Sequence, residues 1–413
     1  MASLKSKRKQ LKVRAVAPKL KLFRANEPLL SVFMWGINHS IMELTHVNLQ
    51  VMLMPDDFKA YSKIRVDNHM FNKDNMPSHF KVKEYCPIVF KNLRERFGID
   101  DDDYLNSLSK QPIDMDSPGR SGARMLQSFD KRYFIKTLVT EEVEQMHHIL
   151  KPYHQYIVEN HGQTLLPQYY GMYRITVNDV ETYLVVMRNI FSPRLVIHKK
   201  YDLKGSTVDR QASDKERAKE LPTLKDVDFV NDGASIHIGP HAKEKLMAML
   251  QKDAEFLSSL HLMDYSLIVG ISDLDMPQTE TVDAAPAAAA DGGEDEDESG
   301  DTEENGFDED MADACGSVPT PPDSPLPNSS LPFTGELDEQ LEKYAIKSDP
   351  SADSGKREIY FMALIDVLTK YGMKKRTAQA AKTVKHGAGA EISTVRPDQY
   401  AKRFLDFIAK CIE

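Results

Sequence analysis

Two short apolar runs, Ser266-Leu-Ile-Val-Gly-Ile271 and Ile359-Tyr-Phe-Met-Ala-Leu-Ile365, have the length and composition of β-strands. Asp264 stands just before the first and Asp366 just after the second. Antiparallel pairing sets the start of one strand beside the end of the other. Both carboxylates then meet at one end of a hairpin. A carboxylate pair there suits a metal ligand and a general base, the combination used in phosphoryl transfer. Strand-end aspartates also occur on ordinary sheet surfaces, so the geometry alone leaves both readings open.

Between the two runs the composition collapses. Residues 275–345 carry 21 acidic and 1 basic side chains, out of 63 acidic and 53 basic in the chain of 413. Residues 291–310 alone hold twelve acids and no base, and Thr320-Pro-Pro-Asp-Ser-Pro325 follows. Such a segment buries too little apolar surface to offset chain entropy, so 275–345 is expected to be disordered. It enters at the far end of the hairpin, one strand length (~23 Å for seven residues) from the aspartates. Thr320 and Ser324, each followed by proline, are candidate phosphorylation sites. The remaining chain has 52 basic and 42 acidic residues, so an acidic tether is attached to a basic body. Basic bodies attract polyanions: nucleic acid, anionic lipid or nucleotide.

The length allows one large domain or two ordinary ones. No apolar run approaches the ~20 residues of a membrane span, and the first residues contain no apolar signal core. Cys86, Cys315 and Cys411 suggest neither a disulfide framework nor a zinc site, so a reducing intracellular compartment is expected.

Residues 1–28 read as a basic tail, with nine Lys/Arg and no acid in the first 24. The chain turns apolar at Leu29–Trp35, a fold start or a buried interface. Val82–Phe97 reads as mixed helix punctuated by Cys86-Pro87, and Asp100–Asp103 as an acidic turn. Met125–Phe129 and Tyr133–Val139 flank a hairpin signal, as do Tyr169–Val177 and Tyr183–Met187 around Asn178-Asp179. Thr140–His161 reads as a helix capped by Thr140, with Glu141 and Glu142 at its positive end. Leu246, Leu250, Ala254 and Leu257 mark another helix face, and Tyr400, Phe404, Phe407 and Cys411 a last one over Asp398–Cys411.

Lys136 shares a strand face with Phe134 and has the reach to meet a nucleotide phosphate, although a lone strand lysine is commonly just exposed. The loop Asp116-Ser-Pro-Gly119-Arg-Ser-Gly122 precedes that hairpin, and its glycines allow backbone N–H groups to approach a phosphate. Glycine loop, hairpin, lysine, helix, two strands, then two aspartates is the order of parts in a protein-kinase-like lobe pair. His-Arg-Asp, Asp-Phe-Gly and Ala-Pro-Glu are all absent. A phosphotransferase of kinase architecture without the protein-kinase signatures is the sharper expectation.

Tyr201-Asp-Leu-Lys-Gly-Ser206 and Met263-Asp-Tyr-Ser-Leu267 resemble two motifs of the phosphatidylinositol phosphate kinase family, in the family's order. Glu84-Tyr-Cys-Pro87, Ala212-Ser-Asp-Lys215 and Lys382-Thr-Val-Lys-His-Gly-Ala-Gly-Ala-Glu391 extend the match. The last looks like the type II subfamily, the phosphatidylinositol 5-phosphate 4-kinases. The resemblance runs from about Leu29 to the C-terminus outside the acidic segment. It implies a two-lobed α+β fold, antiparallel sheet plus helices, with an N-lobe of about 29–190 and a C-lobe of about 191–413.

The resemblance also implies roles. Lys136 matches the lysine on the ATP phosphates, Asp264 the catalytic aspartate, and Asp366 the Mg²⁺-binding aspartate. Met187, Asn189 and Phe191 match the nucleotide-base hinge. Met187 stands where several relatives have threonine, and ATP is the expected donor. Lys204 and Arg210 match basic groups around the lipid phosphate. Glu141 and Glu142 are the candidate partners of Lys136. Lys374, Lys375 and Lys382 lie in a basic loop suited to an anionic leaflet, around Ala378, where type I relatives carry glutamate. The implied activity is transfer of the ATP γ-phosphate to the 4-hydroxyl of phosphatidylinositol 5-phosphate, giving phosphatidylinositol 4,5-bisphosphate. A cytoplasmic protein is expected, peripheral to intracellular and plasma membranes and with a nuclear share possible, dimerising with itself or with relatives. The alternative from another class is a low-activity phosphoinositide-binding scaffold. Nucleic-acid binding is not expected, because no recognisable module is present.

Overall fold

Asn178 and Asp179 both take left-handed backbone conformations, with φ of 50° and 61°. This is the tight hairpin turn whose twist matches paired strands, and Asn and Asp tolerate it. It joins two nine-residue strands at the centre of the first sheet. The computed structural model describes residues 23–47, 52–67, 76–115, 122–278, 333–351, 355–372 and 395–413. Among them, the first sheet contains β1 (Tyr61–Asp67), β2 (His79–Tyr85), β3 (Ile113–Met115), β4 (Met125–Gln127), β5 (Tyr133–Leu138), β6 (Tyr169–Val177) and β7 (Val180–Arg188). Its order is β1-β2-β6-β7-β5-β4-β3, antiparallel throughout. The accompanying helices are α1 (Pro28–Thr45), α2 (Pro87–Arg96), α3 (Asp101–Leu108) and α4 (Thr140–Glu159).

The second sheet contains β8 (Lys199–Leu203), β9 (Thr223–Lys225), β10 (Ser266–Asp273), β11 (Ala345–Lys347) and β12 (Glu358–Ile365). Its order is β11-β12-β10-β8-β9, antiparallel except for the β8–β9 pair. Around it lie α5 (Asp214–Arg217), α6 (Asp226–Asn231), α7 (Gly239–Ser259) and α8 (Pro397–Cys411). β10 and β12 are buried along nearly their whole length, which is why they read as continuous apolar runs. Leu246, Leu250, Ala254 and Leu257 are the buried face of α7. On α8 the buried set is Tyr400, Ala401, Phe404, Ile408 and Cys411, so Ile408 takes the core position expected for Phe407. The chain passes from the first sheet to the second between Arg188 and Lys199.

Several local expectations are corrected. Val82–Tyr85 belongs to a strand, and the helix begins only at Pro87, after Cys86 in a left-handed conformation. Proline suits a first helical turn because its missing N–H has no partner to lose there. Asp100–Asp103 is a helix start: the Asp100 carboxylate accepts the Asp102 and Asp103 N–H groups at 2.9 and 3.2 Å. Thr140 does not cap α4; the Glu142 side chain accepts the Val139 N–H at 3.1 Å. Of the two readings of Leu29–Trp35, a fold start or a buried interface, the fold start holds: Leu30, Val32, Phe33 and Met34 face inward at 0–2 % exposure. Phe33 meets Tyr173 of β6 edge-on, with ring centroids 5.9 Å apart.

The expectation of disorder over 275–345 is corrected at both ends, because residues 275–278 and 333–345 are among the described residues. Residues 279–332 lie outside the described residues, as do Thr320 and Ser324. Residues 333–345, expected to be disordered, pack onto the fold: Glu342 is 3 % and Tyr344 5 % exposed. Side-chain pairing supplies what composition does not, because Arg194 meets the Glu342 carboxylate and Tyr344 donates to Leu166 O at 3.1 Å.

Candidate active site

The register Ser266↔Ile365 puts Asp264 and Asp366 at the same end of the β10–β12 pair. Both have positive φ, 66° and 58°. Non-glycine residues reach that region at a cost, and such strain concentrates at functional sites. The Asp366 side chain is 55 % exposed and that of Asp264 23 %.

Lys136 comes to them from the other sheet. It sits on β5 between Met125 of β4 and Val185 of β7. Its Nζ lies 3.1 Å from Glu142 Oε1 and 3.5 Å from Asp366 Oδ1. Of the two candidate glutamates, helical phase turns Glu142 toward the lysine. Burial works against the Lys136 charge, but Asp366 and Glu142 outweigh it and raise the ammonium pKa. A permanent cation therefore faces the aspartate from across the lobes.

Lys204 follows β8 and turns inward. Its Nζ donates to the backbone carbonyl of Asp264 at 2.7 Å and to Asp264 Oδ1 at 3.0 Å. The structure thus places Lys204 on the aspartate itself. Arg210 is 9 % exposed and is held by Asp226 Oδ2 at 2.6 Å and Asp202 Oδ1 at 2.8 Å. An open cavity beside it is lined by Thr207, Asp209, Gln211 and Val227.

The chain between the sheets carries the hinge residues. Met187 is half-buried on β7, paired with Phe134 of β5 and Tyr169 of β6. Asn189 is buried and fastens the connection: its Nδ2 donates to Lys131 O at 2.7 Å, and its Oδ1 accepts the Phe191 N–H at 3.0 Å. The Phe191 ring occupies space left by Gly270, where an added Cβ would fall 2.4 Å from it, and meets Phe361 edge-on. Gly122 is exposed just before β4. Gly119, Lys374, Lys375, Ala378 and Lys382 lie outside the described residues.

Two further groupings beside these residues carry no sequence motif. Glu342 accepts from Ser192 Oγ at 2.5 Å and Arg194 Nε at 2.9 Å, just beyond the hinge, while Arg188 at its start donates to Gln340 O. Asp226 accepts backbone N–H groups of the Lys204 loop. Both rest on partners distant in sequence, so spacing does not reveal them. Among the described residues, no group of three or more His, Cys, Asp or Glu converges, and no helix is long and apolar enough to cross a membrane.

A lysine, its glutamate and two strand-end aspartates gathered at one end of β10–β12 can hold a nucleotide polyphosphate and accept a hydroxyl proton. Comparison with known proteins agrees. The profile of the family described as Phosphatidylinositol-4-phosphate 5-Kinase matches residues 107–411. Phosphatidylinositol 5-phosphate 4-kinase type-2 alpha of Gallus gallus is 60% identical over 411 residues, 98% of this chain and 97% of that protein. The type-2 alpha protein of Homo sapiens is 59% identical over 409 residues, covering 98% and 96%. The type-2 beta protein of Homo sapiens is 57% identical over 401 residues, covering 96% and 93%. With the lobes, the aspartate pair and near full-length identity in agreement, this chain belongs to the phosphatidylinositol phosphate kinase family, in its phosphatidylinositol 5-phosphate 4-kinase branch.

Proposed function

We propose that this chain transfers the γ-phosphate of ATP to the 4-hydroxyl of phosphatidylinositol 5-phosphate, producing phosphatidylinositol 4,5-bisphosphate. The observation that carries the reading is the convergence of Asp264, Asp366 and Lys136 at one end of β10–β12. Lys204 fixes the rotation of the Asp264 carboxylate through Oδ1 and anchors its carbonyl. Asp264 orients the inositol hydroxyl and takes its proton as the hydroxyl oxygen bonds to the γ-phosphorus. The bond from that phosphorus to the β,γ-bridging oxygen breaks, and ADP leaves with the electron pair. Lys136 holds the phosphates, with Glu142 keeping the ammonium in place when its contact to Asp366 gives way to the nucleotide.

Asp366 is a half-exposed carboxylate beside Lys136. That fits Mg²⁺, which shares its coordination between one or two carboxylates and substrate phosphates. Asp366 would hold the ion, whose charge would neutralise the phosphoryl oxygens. The base-binding role of Met187, Asn189 and Phe191 is supported by their place at the connection between the sheets. Because the Asn189 side chain is already committed to Lys131 and Phe191, its part is to shape the hinge.

Binding to anionic membranes is supported by the excess of basic over acidic residues outside 275–345, including Lys374, Lys375 and Lys382. The protein acts peripherally on cytoplasmic membrane faces. Self-association, or pairing with relatives, is supported by the edge position of β1 and the exposed Met42, Val47, Met52 and Met54 nearby in the chain.

The test is radiolabelled ATP turnover on each of the three monophosphorylated phosphatidylinositols, with the product's phosphate positions assigned. The 5-phosphate lipid should give the highest kcat/KM and a 4,5-bisphosphate product. A preference for the 4-phosphate lipid, or binding without turnover, would overturn the reading.

A further inference from the structure

We propose that Asp226 is a positioning residue for the reaction, holding the loop through which Lys204 orients Asp264. The inference rests on the reading of Asp264 as the group that engages the lipid hydroxyl.

Asp226 opens α6 and its side chain is fully buried. One oxygen, Oδ1, accepts the backbone N–H groups of Lys204 at 2.8 Å and Gly205 at 2.7 Å, with Ser206 N at 3.4 Å. The other, Oδ2, accepts from Arg210 Nε at 2.6 Å. A buried carboxylate is tolerated when its oxygens are used in this way. The same loop is pressed from its other side by α8. Gly205 has φ +66°, and a Cβ there would come within 3.0 Å of Arg403 O and Phe407 Cβ. Only glycine meets both the dihedral and the space.

The loop is therefore held between a carboxylate and a helix backbone, and the Lys204 side chain starts from a defined point. From there Nζ reaches the carbonyl and the carboxylate of Asp264. Asp264 is in the left-handed region, where its backbone alone does not secure it, and Lys204 holds both its main chain and its side chain. The path Asp226, loop N–H groups, Lys204, Asp264 is continuous in hydrogen bonds. Arg210, on the other oxygen of Asp226, is held independently by the carbonyl and carboxylate of Asp202 on β8, so the route from Asp226 to Asp264 runs through Lys204.

The experiment measures lipid phosphorylation by full-length D226A, D226N, K204M and D226A/K204M proteins, with folding checked by near-UV circular dichroism. A displacement of about 1 Å at a catalytic group costs about 100-fold, so kcat of D226A should fall by about that factor while KM for ATP stays within about twofold. D226N keeps an acceptor oxygen for the loop N–H groups and should recover part of the loss. D226A/K204M should be no slower than K204M, because the two act in one path. Wild-type kcat in D226A would overturn the proposal. So would defects that multiply in the double variant, or a KM for ATP that rises in step with the loss. If D226A fails to fold, D226N and D226N/K204M carry the same cycle. Failure of the functional reading looks different: the wild-type protein itself then phosphorylates no lipid.

Discussion

Asp264 and Asp366 sit in a backbone region that asparagine also tolerates, so an Asp→Asn exchange at either position removes a charge while leaving the local fold in place. Glu84, on β2, illustrates a charge with a structural consequence. It is 1 % exposed, and burial raises its pKa to about 7, with Arg94 pulling more weakly the other way. An acid whose folded pKa lies above its unfolded value binds more protons in the native state. Stability is then greatest below about 4.5 and is lost as pH rises through about 7, by about 3–4 kcal/mol at most. Urea unfolding of wild type and E84Q from pH 5 to 8 should show the two curves diverging, with wild type losing ground as pH rises. Parallel curves would show that Glu84 stays charged throughout.

The hinge is an element stabilised from outside its own sequence. Arg188 lies within it, between Met187 and Asn189, Ser192 and Arg194 follow it, and all three bond to the stretch Gln340–Glu342. Breaking a buried ion pair on one side costs about 3–5 kcal/mol. Replacing 279–332 with a short Gly/Ser linker should therefore leave Tm unchanged, whereas extending the deletion through Tyr344 should lower it by about 5–10 °C. Equal melting temperatures would mean that the Arg194–Glu342 contact contributes nothing. The proposed reading extends to lipid choice, for which the basic segment between β12 and α8 is the candidate because type I relatives are expected to carry glutamate at position 378. A carboxylate at position 378 would add negative charge to this lysine-rich stretch and so disfavour one phosphate placement. A378E should shift kcat/KM from the 5-phosphate toward the 4-phosphate lipid in identical vesicles, with KM for ATP unchanged. An unchanged ratio would place selectivity elsewhere, around Lys204 and Arg210.

Across the whole molecule, a body with 52 basic and 42 acidic residues carries a segment with 21 acids and one base. The linker variant should bind anionic vesicles more tightly than wild type, and the difference should shrink at high salt as screening grows. Equal binding at low salt would show that the segment does not compete. The β10–β12 pair was legible in the sequence because strands buried on both faces leave unbroken apolar runs, and the Asn178-Asp179 turn because its dihedrals demand those residues. The choice of Glu142 over Glu141 needed the phase of α4. The ordered stretch 333–345 was hidden because its composition matches the acidic segment, while its partners Ser192 and Arg194 lie about 150 residues away. Asp226 was hidden because its donors are mainly backbone N–H groups, which every residue supplies. The central claim, that Asp264 and Asp366 serve one phosphoryl transfer, is tested most directly by lipid turnover of D264N, D366N and the double variant. Each single exchange should lower kcat by about 10³-fold or more, with the double variant costing little beyond either, as expected of parts that act as a unit. Near-wild-type turnover in either folded single variant would contradict it.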